Sequence, residues 1–111
     1  MASQVNDVIK RLSIAFKRNF EDYKGLYLFG VFLDGKEHED EDIEIVALFD
    51  SEDKSKREQI WPIVGKIETA LGVCIDLYPY TKEQFEKDEE LYREVMEDGL
   101  FFNPLGIMED R

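Results

Sequence analysis

A chain of 111 residues, 43 % of them hydrophobic, fits one domain with a single modest core. Its net charge of −12, from 26 acidic and 14 basic residues, opposes general attraction to nucleic acid or anionic lipid. One cysteine, Cys74, and one histidine, His38, exclude an intrachain disulfide, a cysteine-built zinc site and any histidine triad that does without His38. No apolar run approaches the roughly 20 residues of a membrane helix. Met1 to Val5 lacks the basic-then-apolar order of a secretion signal, so a cytoplasmic location is the expectation. The acidity fits a cation site, a basic protein partner, or solubility alone.

The first element is a helix from about Ser3 to Phe20, because Val5, Val8, Ile9, Leu12, Ala15, Phe16 and Phe20 recur at spacings of three and four. Ser3 or Asn6 is its cap, and Lys10, Arg11, Lys17 and Arg18 read as a solvated face. Gly25 reads as a break, followed by a buried strand to Phe29. Residues 30–41 read as a turn, with one helical turn at Val31 to Leu33, and then a polar loop holding an exposed His38. Ile43 to Phe49 is a strand rich in β-branched residues.

Ser51 or Asp53 caps the next helix, Lys54 to Leu71, within which Pro62 either removes a bond or marks a later start. Trp61 reads as packing within that helix. Gly72 suits the position after its end. Val73 to Tyr78 is a third strand, ended by Pro79. Thr81 with Gln84 matches a capping box for a last helix, Lys82 to Asp98, stopped by Gly99. Leu100 to Phe102 reads as an edge strand or a dimer contact, and Asn103 to Arg111 as a loose tail. The order α-β-β-α-β-α predicts an α/β (α+β) fold: a small mixed sheet with helices packed against it, in one domain over residues 1–102.

The chemistry concentrates near residues 30 to 44. Side chains two apart on a strand share a face, so Asp42 and Glu44 stand side by side. Neighbouring carboxylates repel, and a shared proton or a divalent cation relieves them. Asp76 lies within an apolar strand, where an unpaired acid is costly to bury. If its strand neighbours that of 43–49, three carboxylates converge and suit Mg²⁺ or Mn²⁺. The alternative is that Asp42 and Glu44 are exposed at a strand edge and Asp76 caps a turn. The loop at 34–42 lacks the order of a calcium-binding EF-hand. Tyr78 and Tyr80 read as covers of a core edge.

These residues resemble the minimal nucleotidyltransferases of the DNA polymerase β-type superfamily. Their signature is Gly-Ser, a spacer usually containing Arg-Gly, then Ser-Asp-x-Asp-Leu. Gly30 takes the first glycine, Gly35 that of the spacer, and Glu41-Asp42-Ile43-Glu44-Ile45 the acidic segment. The likeness extends through Val73 to Tyr78, Tyr80 to Phe85 and Val95 to Gly99. Three departures stand out: Val31 in place of the serine, Phe32 and Asp34 in place of basic spacer residues, and Glu44 in place of aspartate.

The resemblance implies a nucleotidyltransferase fold and transfer of a nucleoside monophosphate from a nucleoside triphosphate to an acceptor hydroxyl. It implies Asp42, Glu44 and Asp76 as catalytic and metal-holding residues with Mg²⁺ or Mn²⁺, and Gly30 and Val31 at the nucleotide. It also implies an alternative: a catalytically degenerate binding module acting as antitoxin to a small helical HEPN RNase. Direct nucleic-acid binding and a membrane are not expected, and homo-oligomerisation stays open.

Overall fold

The computed structural model describes residues 3–38 and 40–109. Met1, Ala2, Glu39, Asp110 and Arg111 lie outside the described residues, as does the side chain of Ser3, one of the two expected caps. Along the chain run α1 (Ser3–Asn19), β1 (Tyr23–Phe29), a 3-10 turn (Val31–Asp34), β2 (Ile43–Phe49), α2 (Lys54–Leu71) and β3 (Ile75–Tyr80). Then come α3 (Lys82–Lys87), α4 (Glu89–Asp98), β4 (Leu100–Phe102) and β5 (Met108–Glu109).

The five strands form one sheet in the order β3-β2-β1-β4-β5. Among the described residues only β2 and β3 pair in parallel, joined by α2; the other pairs are antiparallel. One face packs on α1 and α2. There Val8, Leu12 and Phe16 meet Leu26, Ile45, Phe49, Ile60 and Val64, all buried. The other face is covered by α3 and α4, where Phe85 and Val95 meet Phe29 and Val46. Strand alternation thus feeds two cores, as a two-sided sheet requires. Asn6 is exposed within α1, while Lys10, Arg11, Lys17 and Arg18 form the solvated face their spacing implies.

Several boundaries follow from local chemistry. Asp53 caps α2 by accepting a hydrogen bond from the Lys56 amide at 2.8 Å. The α2 helix runs through Pro62 without restarting, at a stretch where Glu58, Trp61 and Pro62 are all exposed, so that the carbonyl the proline leaves unpaired is on the solvent side. Trp61 is therefore not packed: 46 % of it is open to solvent. Thr81 and Gln84 form the reciprocal capping box of α3. Thr81→Ala is expected to cost about 1 kcal/mol, read as a lower urea midpoint with an unchanged slope.

Four expectations are corrected. Gly25 does not break the chain; it lies inside β1 at a bulge against β2, where the Phe102 carbonyl and the Phe101 ring stand 2.5 and 2.7 Å from where its side chain would begin. The third strand starts later, at Ile75, and continues through Pro79 to Tyr80. It is an edge strand, where a proline costs no bond to a second neighbour. The last helix divides at Asp88, so that α3 packs on β3 and α4 on β1. Finally, Leu100–Phe102 is interior to the sheet, and the described part of the segment after it, residues 103–109, is folded back, residues 110 and 111 lying outside the described ones. Asn103 Oδ1 accepts from the amides of Leu105 (2.9 Å) and Ile107 (3.2 Å), turning the chain back to pair β5 with β4. No helix among the described residues is long and apolar enough to cross a membrane.

Candidate active site

The end of β1 and the starts of β2 and β3 meet at one rim of the sheet. In register across that rim lie Phe29, Glu44 and Asp76. Alternation turns all three toward the α3–α4 side, since Ile43, Ile45, Ile75 and Leu77 pack on the α1–α2 side. The parallel pairing that places Asp76 beside Glu44 begins just before β3, where the Ile43 amide donates to the Cys74 carbonyl at 2.9 Å. Asp42 precedes β2 and is exposed, close enough to act on Glu44 through its charge.

Gly30 sits directly against this row. Its backbone, at φ +87° and ψ −156°, lies in a region essentially restricted to glycine. A side-chain carbon there would stand 1.8 Å from Glu44 Oε2. The absence of a side chain at 30 is therefore what lets the Glu44 carboxylate lie over the β1 turn. Val31 follows, exposed, at the start of the 3-10 turn.

The electrostatics are one-sided. Partial burial raises the Glu44 carboxyl above its usual value, and the charges of Glu94, Asp76, Asp42 and Glu41 add to the effect. Burial likewise raises the Tyr78 phenol, helped by Asp76. Tyr78 donates its hydroxyl to Asp76 Oδ2 at 3.1 Å, and Tyr80 donates to Asp88 Oδ2 at 2.7 Å. A cavity of about 420 Å³ opens beside Glu44, lined by Phe29, Gly30, Val31, Leu33, Glu94 and Asp98. Among its described lining residues none is basic.

The structure thus brings Gly30, Val31, Glu44 and Asp76 to one rim, with Asp42 at its edge. Sequence reading passed over Glu94 and Asp98. They lie one turn apart on a shared edge of α4, beside the apolar Leu91 and Val95, a spacing that marks a helix margin facing something. His38 is half-buried instead of loosely exposed: its Nε2 lies 2.9 Å from both Asp34 oxygens and its ring meets Phe32 edge-on at 5.2 Å. That contact, with the Lys36 amide, holds the Asp34 carboxyl below its ordinary value.

A divalent cation suits this donor set in kind. Carboxylate oxygens are the hard ligands that Mg²⁺ and Mn²⁺ take, and a cation relieves the repulsion around Glu44. Among the described residues, however, no three such side chains are gathered into a finished metal cage.

A mixed sheet with Glu44 and Asp76 in register beside a glycine turn is an arrangement that can serve phosphoryl transfer. The chain belongs to the nucleotidyltransferase domain family, whose model matches residues 9–102. It is 25 % identical over 93 residues to a Methanocaldococcus jannaschii protein named "Putative protein adenylyltransferase", spanning 78 % of this chain and 92 % of that one. A solved toxin–antitoxin structure containing AMP-PNP is similar at 26 % identity and a TM-score of 0.60, covering 85 % of this chain and 68 % of that one. An MntA–HpeT toxin–antitoxin structure with two aspartate-to-glutamate substitutions is similar at 25 % identity and a TM-score of 0.61, covering 86 % and 70 %.

Proposed function

We propose that this chain transfers a nucleoside monophosphate, AMP in the first instance, from a nucleoside triphosphate to a hydroxyl on a protein partner. The observation that carries the proposal is the in-register pair Glu44 and Asp76 set against the side-chain-free Gly30. The kinship with a protein named an adenylyltransferase supports a protein acceptor, and the AMP-PNP of a similar toxin–antitoxin structure supports an adenine nucleotide.

In this reading the acceptor oxygen forms a bond to the α-phosphorus, the bond to the bridging oxygen breaks, and pyrophosphate leaves. Asp76 takes the acceptor proton on the oxygen that Tyr78 leaves free. Gly30 and the Val31 amide let the phosphates approach the backbone. Asp42, Glu44 and Asp76 would hold Mg²⁺ or Mn²⁺, which when bound supplies charge neutralisation at the phosphates. A similar structure carrying Asp-to-Glu changes at two positions two residues apart parallels the Asp42-x-Glu44 spacing here.

One observation favours a second reading, an antitoxin that silences a helical HEPN-type RNase by occlusion. The cavity rim offers carboxylates and Val31, with no basic group among its described lining residues for a triphosphate, and the chain carries −12 overall. Such a rim suits a basic RNA-binding surface.

Calorimetric titration with ATP separates the two. Catalysis requires binding that depends on Mg²⁺ or Mn²⁺ and weakens at least tenfold in Asp42→Asn, with the circular dichroism spectrum unchanged. Metal-independent or absent binding in the wild type overturns the transferase reading.

A further inference from the structure

We infer that Tyr78 is a positioning residue that fixes the Asp76 carboxylate for its work beside Glu44, an inference that rests on the transferase reading above. Asp76 and Tyr78 are two apart on β3 and so project from the same face. The Tyr78 hydroxyl reaches back along the strand to Asp76 Oδ2 at 3.1 Å. That engagement leaves Oδ1 as the oxygen not held by Tyr78, on the residue paired in register with Glu44.

The donor is itself held. The Tyr78 ring is stacked on Tyr80, with centroids 6.2 Å apart and planes 22° apart. It leans on Phe29 at 6.1 Å. Tyr80 in turn stacks on Phe85 at 6.4 Å and donates to Asp88, the residue at which the helix divides into α3 and α4. An aspartate on an edge strand otherwise has freedom about its side-chain bonds. A donor locked between two rings removes that freedom before substrate arrives. Preorganisation of this kind is what a reacting carboxylate needs, because a misplacement of about 1 Å costs on the order of a hundredfold in rate.

Tyr78→Phe keeps the ring and its stacking and removes only the donor. The ¹³Cγ resonance of Asp76 in the metal-free chain is expected to move, while that of Asp50, remote from the site, stays. Mn²⁺ affinity, read from the spectrum of free Mn²⁺, is expected to fall about tenfold or more. The rate of AMP transfer at saturation falls on the same scale, with the KM for ATP changed less than about twofold, the signature of a group that acts in the transition state. Tyr23→Phe, the same chemical change in the core on the other face of the sheet, is expected to leave Mn²⁺ affinity unchanged.

An unmoved Asp76 resonance in Tyr78→Phe overturns the hydrogen bond and the inference with it. A moved resonance with wild-type Mn²⁺ affinity and turnover overturns the positioning role while leaving the transferase reading intact. Failure of the wild-type chain to bind Mn²⁺ or nucleotide overturns the transferase reading, and the positioning role falls with it even though the resonance moves.

Discussion

Gly30→Ala is expected to destabilise the fold by about 1–3 kcal/mol and to abolish metal-dependent nucleotide binding. The two losses have separate causes. The backbone at φ +87° and ψ −156° is strained for any residue with a side chain. The new methyl group would also coincide with the Glu44 carboxylate, only 1.8 Å from Oε2. Either the turn after β1 or the carboxylate must move, and both are parts of the candidate site. Urea denaturation reads the first loss and calorimetry with ATP and Mg²⁺ the second. A variant that binds nucleotide with wild-type affinity would show that the approach of Glu44 to residue 30 has no part in the site.

Glu44→Gln is expected to lose activity on the order of a hundredfold and yet to melt at a higher temperature than the wild type at pH 7. In the metal-free chain Glu44 is opposed by its own partial burial and by four neighbouring carboxylates. Its folded-state value is raised above the usual 4.5, so the folded chain holds this proton more tightly than the unfolded one. Stability therefore declines as pH climbs from the ordinary value through the raised one, and the cost is fully present above the raised value. Glutamine removes it. The advantage should vanish in acid, where Glu44 is protonated in both states. Added Mg²⁺ should raise the melting temperature of the wild type and not that of Glu44→Gln. Differential scanning calorimetry at pH 4 and pH 7 checks each part. A variant no more stable than the wild type at pH 7 would mean the acids do not crowd as described.

Both expectations concern a site whose carboxylates destabilise the domain that carries them. The same trade appears in the departures from the family signature. Val31 supplies no hydroxyl to a phosphate, and Glu44 reaches further than an aspartate does. Gly30, the glycine of that signature, leaves room for the Glu44 carboxylate.

The amino-acid sequence by itself determined what is settled within a few consecutive residues. The bounds of β2, the end of α2 and the Thr81–Gln84 box were legible, and the α2 cap was narrowed to Ser51 or Asp53, because periodicity and capping act over one or two turns. The glycine turn and the acidic segment that carry the family likeness were legible for the same reason. Tertiary structure alone decided what depends on register and on the twist of the sheet. Pro79 stays in a strand because β3 has a neighbour on one side only. The helix divides at Asp88 because its halves pack on different strands. Asp76 meets Glu44, and Glu94 and Asp98 come to line the cavity, through pairings and packing between segments tens of residues apart. A one-residue slip in β3 would have turned Asp76 to the opposite face, and no local signal reports which register wins.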